Sequence, residues 1–366
     1  MKEPRTERVE PRAASCESSG EREQGKQAMG RSGDSGEPSC RAAQQASSPA
    51  GGPVGLSVEF AGIRMQNPVL TASGTFGYAQ EFEQYLDLNR LGALVVKTIT
   101  RLPRAGNPAP RIVETPAGML NAIGLQNVGV EAFIREKLPY LRRLTPPLIV
   151  NVAGESVEDF RELTKRISDQ EGVAGIELNV SCPNVAGGLD FSTDPTLTYQ
   201  VVKAARDATG LPVIPKLSPN VTDIRAIARA AEEAGADALS LINTLVGMAI
   251  DVRTRRPKIA NVTGGLSGPA IRPVAVRMVW QVRHAVRLPI IGMGGIVTGE
   301  DAVEFLLAGA TAVAVGTANF IDPTRVLKVV DGLRDFCAAH GIAAARQLVG
   351  GLQIPGRNDQ CLWRGE

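Results

Sequence analysis

The sequence predicts an α/β protein built as a (β/α)8 TIM barrel, with a short N-terminal β-hairpin and a disordered N-terminal extension. Three observations predict it. Eight short apolar runs bounded by Gly, Pro or Asn recur between residues 68 and 317. The segments between them carry helical periodicity. Each run is nearly continuous in apolar residues, as parallel strands covered on both faces require. Eight such units over roughly 250 residues match the barrel. Periodicity alone does not show closure, so a doubly wound open sheet is the alternative.

Residues 1–52 stand apart, because they contain no Leu, Ile, Phe, Tyr or Trp and their eight basic and eight acidic side chains cancel. Such a segment cannot bury enough apolar surface to offset its ordering entropy, which predicts disorder. It has no apolar signal-peptide core, and its acidic residues disfavour a transit peptide. A functional tail and an inert extension from a mistaken start are both open, with Met29 as one alternative start. The barrel domain is expected over 53–352, followed by a tail, 353–366. Residues 56–70, LSVEFAGIRMQNPVL, alternate apolar and polar and turn at Gly62, the pattern of a hairpin. The eight strands are then expected at 68–73, 93–98, 148–153, 175–181, 212–217, 238–243, 289–294 and 312–317. Between them, Val157, Phe160, Leu163 and Ile167 share one helical stripe. A second helix starts at Thr222 as N-cap, buries Ile224, Ile227, Ala228 and Ala231, and stops at Gly235. A third starts at Thr298 with Asp301 three residues on, carries Val303, Phe305 and Leu306, and ends at Gly309.

Composition narrows the function classes. With 40 basic and 38 acidic side chains the net charge is +2, which leaves no nucleic-acid footprint. The charge-free stretch 305–321 contains two glycines and an internal turn, so no membrane span is expected there. The five cysteines, Cys16, Cys40, Cys182, Cys337 and Cys361, include no C-x-x-C pair. An odd, scattered set argues against a disulfide framework and against a zinc or iron–sulfur site. No metal is expected, and a reducing, cytoplasmic location fits.

In a barrel of this kind function gathers at the C-terminal strand ends. Here those ends carry Ser73 and Thr75, Lys97 and Thr98, Asn151, Asn179 with Cys182, Lys216, Asn243 and Thr244. A lone Asn after a strand is usually a turn residue; three Asn and two Lys ends together are not so easily dismissed. The last two strands close with Gly292-Met293-Gly294-Gly295-Ile296 and Val315-Gly316-Thr317. Glycines there let a phosphate approach backbone N–H groups, although tight turns would use them equally well. Gly264 to Gly268 adds a third glycine-rich loop. The lysines could form a Schiff base, neutralise an anion, or stabilise a cofactor that becomes anionic, since a lysine buried without an anionic partner is costly. His284 and His340 fall on helices outside the barrel. That leaves Cys182 as the titratable group best placed for proton transfer.

At ELNVSCPN (177–184) the sequence resembles the dihydroorotate dehydrogenases, and the likeness runs from about Leu56 to Ile342. It includes ASGTFG (72–77), VVKT (95–98), GNPAPR (106–111), GMLNAIGLQN (118–127), NVAG (151–154), PKLSPN (215–220), LINT (241–244), GGLSGPAIRP (264–273), GMGGI (292–296) and AVGTA (314–318). Cysteine at 182 resembles class 1, and NAIGLQN with GGLSGPAI resembles its type B catalytic subunit. Residues 1–52 have no counterpart in it.

The resemblance implies one FMN per chain and oxidation of (S)-dihydroorotate to orotate in pyrimidine synthesis. It implies that Cys182 takes the C5 proton while FMN takes the C6 hydride. Lys97 would meet the substrate carboxylate beside the flavin. Asn121, Ala122, Ile123, Gly124, Leu125, Asn179, Asn243 and Thr244 would hold the substrate ring. Ser73, Thr98 and Asn151 would contact the isoalloxazine, with Lys216 at its N1–C2 edge, and Asn179 and Ile242 would also bind the cofactor. Gly268, Gly294, Gly295, Gly316 and Thr317 would hold the phosphate. Electrons would leave through a partner subunit carrying FAD and a 2Fe-2S cluster to NAD, with a homodimer at the core of a heterotetramer. Within the family, a dihydropyrimidine dehydrogenase-like flavin subunit and the fumarate-linked type A enzyme are the alternatives. Outside it, a Schiff-base lyase and a non-catalytic phosphate-ligand binder remain.

Overall fold

A computed structural model describes residues 54–180 and 191–355. The disorder expected for 1–52, the tail beyond 355 and Cys182 lie outside the described residues. β1 (Val58–Phe60) and β2 (Ile63–Met65) form the hairpin, turning at Ala61 and Gly62. β3 (Val69–Thr71) and β4 (Leu94–Val95) begin the barrel, and β5 (Ile112–Thr115) and β6 (Gly118–Asn121) leave it as a second hairpin. The chain returns through β7 (Leu148–Val152), β8 (Val173–Asn179), β9 (Val213–Leu217) and β10 (Leu239–Leu241). It leaves again as β11 (Leu245–Met248), β12 (Ile250–Asp251), β13 (Arg256–Pro257) and β14 (Thr263–Ser267). β15 (Ile290–Met293) and β16 (Ala312–Val315) complete the ring.

The ring is parallel throughout, in the order β3-β16-β15-β10-β9-β8-β7-β4. A parallel bridge, Leu70 to Ala93, joins its two ends. Each predicted apolar run supplies one strand, and the bridge makes the sheet a barrel, not an open doubly wound sheet. Register turns Leu70, Val95, Ile149, Ile214, Ile291 and Ala312 into one apolar layer, against which Phe60, Ile63 and Met65 of the hairpin pack. The remaining core lies between the strands and the surrounding helices.

The helix Val157–Ser168 starts where Ser156 accepts the Asp159 N–H, and buries Phe160, Leu163 and Ile167. Thr298 and Asp301 form the expected reciprocal cap of the helix Gly299–Leu307. The helix Ile224–Glu233 differs by one residue from expectation: Asp223, not Thr222, is its cap, accepting the Arg225 N–H at 3.0 Å. Asp223 is the last extended residue, and a carboxylate there also meets the positive end of the helix dipole. His284 and His340 sit exposed at the C-caps of the helices Arg272–Arg283 and Arg325–Ala339, away from the strand ends. The stretch 305–321 divides into a helix end, β16 and a short helix, Ala318–Ile321. Among the described residues no helix is long and apolar enough to cross a membrane.

One layer was not anticipated from the sequence. β5, β6, β14 and β11 form a four-stranded antiparallel sheet at the C-terminal mouth, and it corrects the glycine-rich loop expected at 264–268. Gly264 and Gly265 lie in β14, paired on one side with residues about 145 positions earlier, such as Asn121. Glycine there provides close approach: a Cβ at Gly265 would fall 2.0 Å from Thr244 Oγ1.

A second close approach gives a stability prediction. The helix Gly299–Leu307 meets the helix Arg325–Ala339 at Gly332, where a Cβ on Gly299 would lie 2.2 Å from the Gly332 carbonyl carbon. Gly299→Ala is expected to destabilise the fold by at least about 2 kcal/mol through overpacking. A lowered denaturant midpoint checks it.

Candidate active site

The strand ends open into a single cavity of about 470 Å³, walled on one side by the antiparallel sheet. Every predicted site residue among the described ones lines it except Asn151, which is fully buried on β7 beneath the cavity floor. Cys182 lies outside the described residues, three positions past the end of β8.

Alternation along the strands places these groups. Inward positions two residues apart put Lys97 beyond Val95, Asn179 beyond Glu177, and Lys216 beyond Ile214. Lys216 is only 5% exposed; its side chain crosses the mouth to Ser73, with Nζ donating to Oγ at 3.1 Å. Lys97 is half-buried, and burial, helped by the Arg111 guanidinium, holds its ammonium below the ordinary lysine range. Neither lysine forms a salt bridge with a described residue. Two lysines therefore face the cavity with no carboxylate in ion-pair contact, which suits an anionic ligand.

Between the lysines lies a band of amides. Asn243 Nδ2 donates to Asn179 Oδ1 at 3.3 Å, the Thr244 N–H donates to Asn243 Oδ1 at 2.8 Å, and Asn121 Nδ2 reaches the Gly265 carbonyl at 3.4 Å. Ala122, Ile123, Gly124 and Leu125 continue the wall from Asn121. An uncharged donor–acceptor surface of this kind matches the edges of a cyclic imide or amide. On the opposite side Gly294, Gly295, Gly316 and Thr317 follow β15 and β16, with Gly268 beside them. Gly295 has φ +80, and a Cβ there would lie 2.8 Å from the Gly268 carbonyl oxygen, so the two loops touch through backbone alone. Thr317 Oγ1 is fixed by Ser267 Oγ at 2.8 Å. The ends of the last two barrel strands are where this fold commonly binds phosphate through backbone N–H groups.

Several residues escaped the sequence reading. Asn220 lines the cavity, accepts the Val246 N–H at 2.8 Å and donates to the Thr244 carbonyl at 3.1 Å, tying the two strand ends to the antiparallel sheet. It stood inside the motif PKLSPN, so position past a strand end could have flagged it. Ser267 reaches the cavity only through the unforeseen strand β14. Glu177 is buried under the floor.

A closed barrel whose glycine-rich ends, two buried lysines and amide band converge on one cavity has the architecture of a (β/α)8 enzyme with a site for an anionic ligand. Comparison with known proteins narrows this. The sequence profile of dihydroorotate dehydrogenase matches residues 55–337. The dihydroorotate dehydrogenase B (NAD(+)) catalytic subunit of Geotalea uraniireducens is 59% identical over 298 residues, covering 81% of this chain and 98% of the relative. Its counterpart from Geobacter sulfurreducens is 58% identical, covering 82% and 98%. Among solved structures, Eimeria tenella DHODH in complex with ferulenol superposes with a TM-score of 0.67 at 25% identity, covering 81% of this chain and 88% of that one. The chain belongs to the dihydroorotate dehydrogenase family.

Proposed function

We propose that this chain is the catalytic subunit of an NAD-linked dihydroorotate dehydrogenase, oxidising (S)-dihydroorotate to orotate in pyrimidine synthesis. The observation that carries this is the convergence of Lys97, Lys216, the amide band and the glycine cradle on one cavity. The residues fit FMN: Gly294, Gly295, Gly316 and Thr317 would take its phosphate, and Lys216 with Ser73, Thr98, Asn179 and Ile242 would face its ring. Bound there, FMN supplies the hydride acceptor. Asn151 would act from beneath the floor.

The chain's own groups handle the rest. Lys97 fixes the substrate carboxylate, and Asn121, Asn179, Asn243 and Thr244 read the ring's N–H and C=O edges, which sets the pose. Cys182 removes the proton at C5 as the hydride leaves C6, so that a C–C double bond forms and two electrons depart. The two electrons would leave through a separate subunit carrying an iron–sulfur centre and FAD, with NAD as the final acceptor, in the cytoplasm. A homodimer of this chain forms the core of that assembly.

The purified chain is expected to be yellow and to reduce artificial acceptors with dihydroorotate, and to reduce NAD only when its partner is added. Efficient NAD reduction by the chain alone would contradict the partnership. Turnover of dihydrouracil instead of dihydroorotate would contradict the substrate, because that ring has no carboxylate for Lys97.

Lys97→Ala is expected to raise KM for dihydroorotate by about 10²-fold or more, the loss of a charge-assisted bond, with FMN content retained. The sign of the pH effect follows from the depressed ammonium. Binding needs the charged form, present below the Lys97 pKa, and that pKa lies under the ordinary lysine value. The wild-type KM should therefore climb with alkaline pH before a free lysine would titrate, and the alanine variant should lose that climb. Loss of FMN as the main effect would contradict the role.

A further inference from the structure

Two carboxylates are buried among the described residues, Asp301 and Glu177. Asp301 is paired with Arg272 and caps a helix. Glu177 is 1% exposed inside the barrel, forms no salt bridge with a described residue, and has no part in the chemistry above. Its Oε2 accepts from Asn151 Nδ2, and its Oε1 accepts from Ser240 Oγ at 2.7 Å. Both oxygens are within hydrogen-bond reach of a donor. A charged carboxylate there is expensive to bury unless an opposite charge lies close by.

The strand register points to one. Ser240 stands across the ladder from Lys216, and Lys216 stands across from Asn179. Asn179 is two residues beyond Glu177 on β8, about 7 Å along the strand. The barrel thus holds a buried lysine at the cavity floor and a buried carboxyl group one layer beneath, and Ser240, which bonds to Glu177, is the ladder neighbour of Lys216. We propose that Glu177 is the counter-charge of Lys216 and a positioning residue that lowers the reduction potential of the bound flavin. This rests on the flavin reading above. Reduction adds negative charge to the ring, so Lys216 raises the potential and a carboxylate beneath it opposes that rise. A lower potential makes the reduced site a better donor to the next carrier.

The test is anaerobic redox titration of the FMN-loaded protein. Glu177→Gln keeps the shape and removes the charge; the two-electron midpoint should move positive by at least about 30 mV, a tenfold change in the equilibrium. Ser240→Ala removes a hydrogen bond and leaves the charge, so its midpoint should stay at the wild-type value. An unchanged midpoint in Glu177→Gln would overturn the proposal, as would an equal shift in both variants, which would mean packing and not charge. Failure of Glu177→Gln to take up FMN would also count against it, since loss of the charge leaves the cavity wall intact. A wild-type protein without flavin would instead refute the functional reading itself.

Discussion

Cys182→Ser is expected to lower turnover of dihydroorotate at neutral pH by about 10²–10⁴-fold, the range general-base catalysis contributes. A thiol near its ordinary pKa supplies appreciable thiolate, whereas a serine hydroxyl is almost wholly protonated and accepts the C5 proton far less readily. Activity of the variant should therefore rise steeply with pH, while dihydroorotate binding and FMN content stay close to wild type. Stopped-flow reduction of the bound flavin across a pH series separates these. Full activity at pH 7 in the variant would mean that another group is the base. Neither histidine is a ready substitute, because His284 and His340 are exposed on helix ends outside the barrel.

Lys216→Met is the second large effect. The lysine is buried, crosses the mouth to Ser73, and is the residue that the proposed function sets against the flavin ring. Its charge opposes the negative charge that hydride transfer leaves on the ring, in a site shielded from water. Methionine keeps much of the length and removes the charge. The rate of flavin reduction should fall by about 10²–10³-fold, the usual cost of removing one preorganised stabilising group. Because the change also takes away the cation above the buried Glu177, the unfolding midpoint and FMN content are measured beside the rate, and the comparison is made on folded, FMN-loaded protein. An unchanged reduction rate would remove Lys216 from the chemistry. Borohydride trapping of a carbonyl compound on either lysine would point instead to Schiff-base chemistry.

The barrel was legible because its strands are buried on both faces and therefore read as apolar runs. From 148–153 to 312–317 each run became a strand within two residues of its expected start. The β1–β2 hairpin was legible too, since alternation and Gly62 fall where the chain turns. The antiparallel sheet at the mouth was not. β14 is largely glycine and polar, lines a cavity in place of a core, and pairs with β6 across about two-fifths of the chain, so neither period nor local turn announces it. Residues at strand ends could be read from position alone, which is why Lys97, Asn179, Lys216 and Asn243 converge as expected. Asn220, three residues past the end of β9, was open to the same reasoning and was missed; Ser267 was not, because its place depends on that sheet. Glu177 was hidden for another reason: within ELNVSCPN it looks like any strand residue, and only the register shows that it points inward.

The most direct measurement of the central claim is anaerobic titration of the purified chain with dihydroorotate, following the flavin's visible absorbance and the orotate formed. A yellow protein is expected, bleached at one dihydroorotate consumed per FMN, with one orotate released, and not bleached by dihydrouracil. A flavin that dihydroorotate leaves oxidised would contradict it.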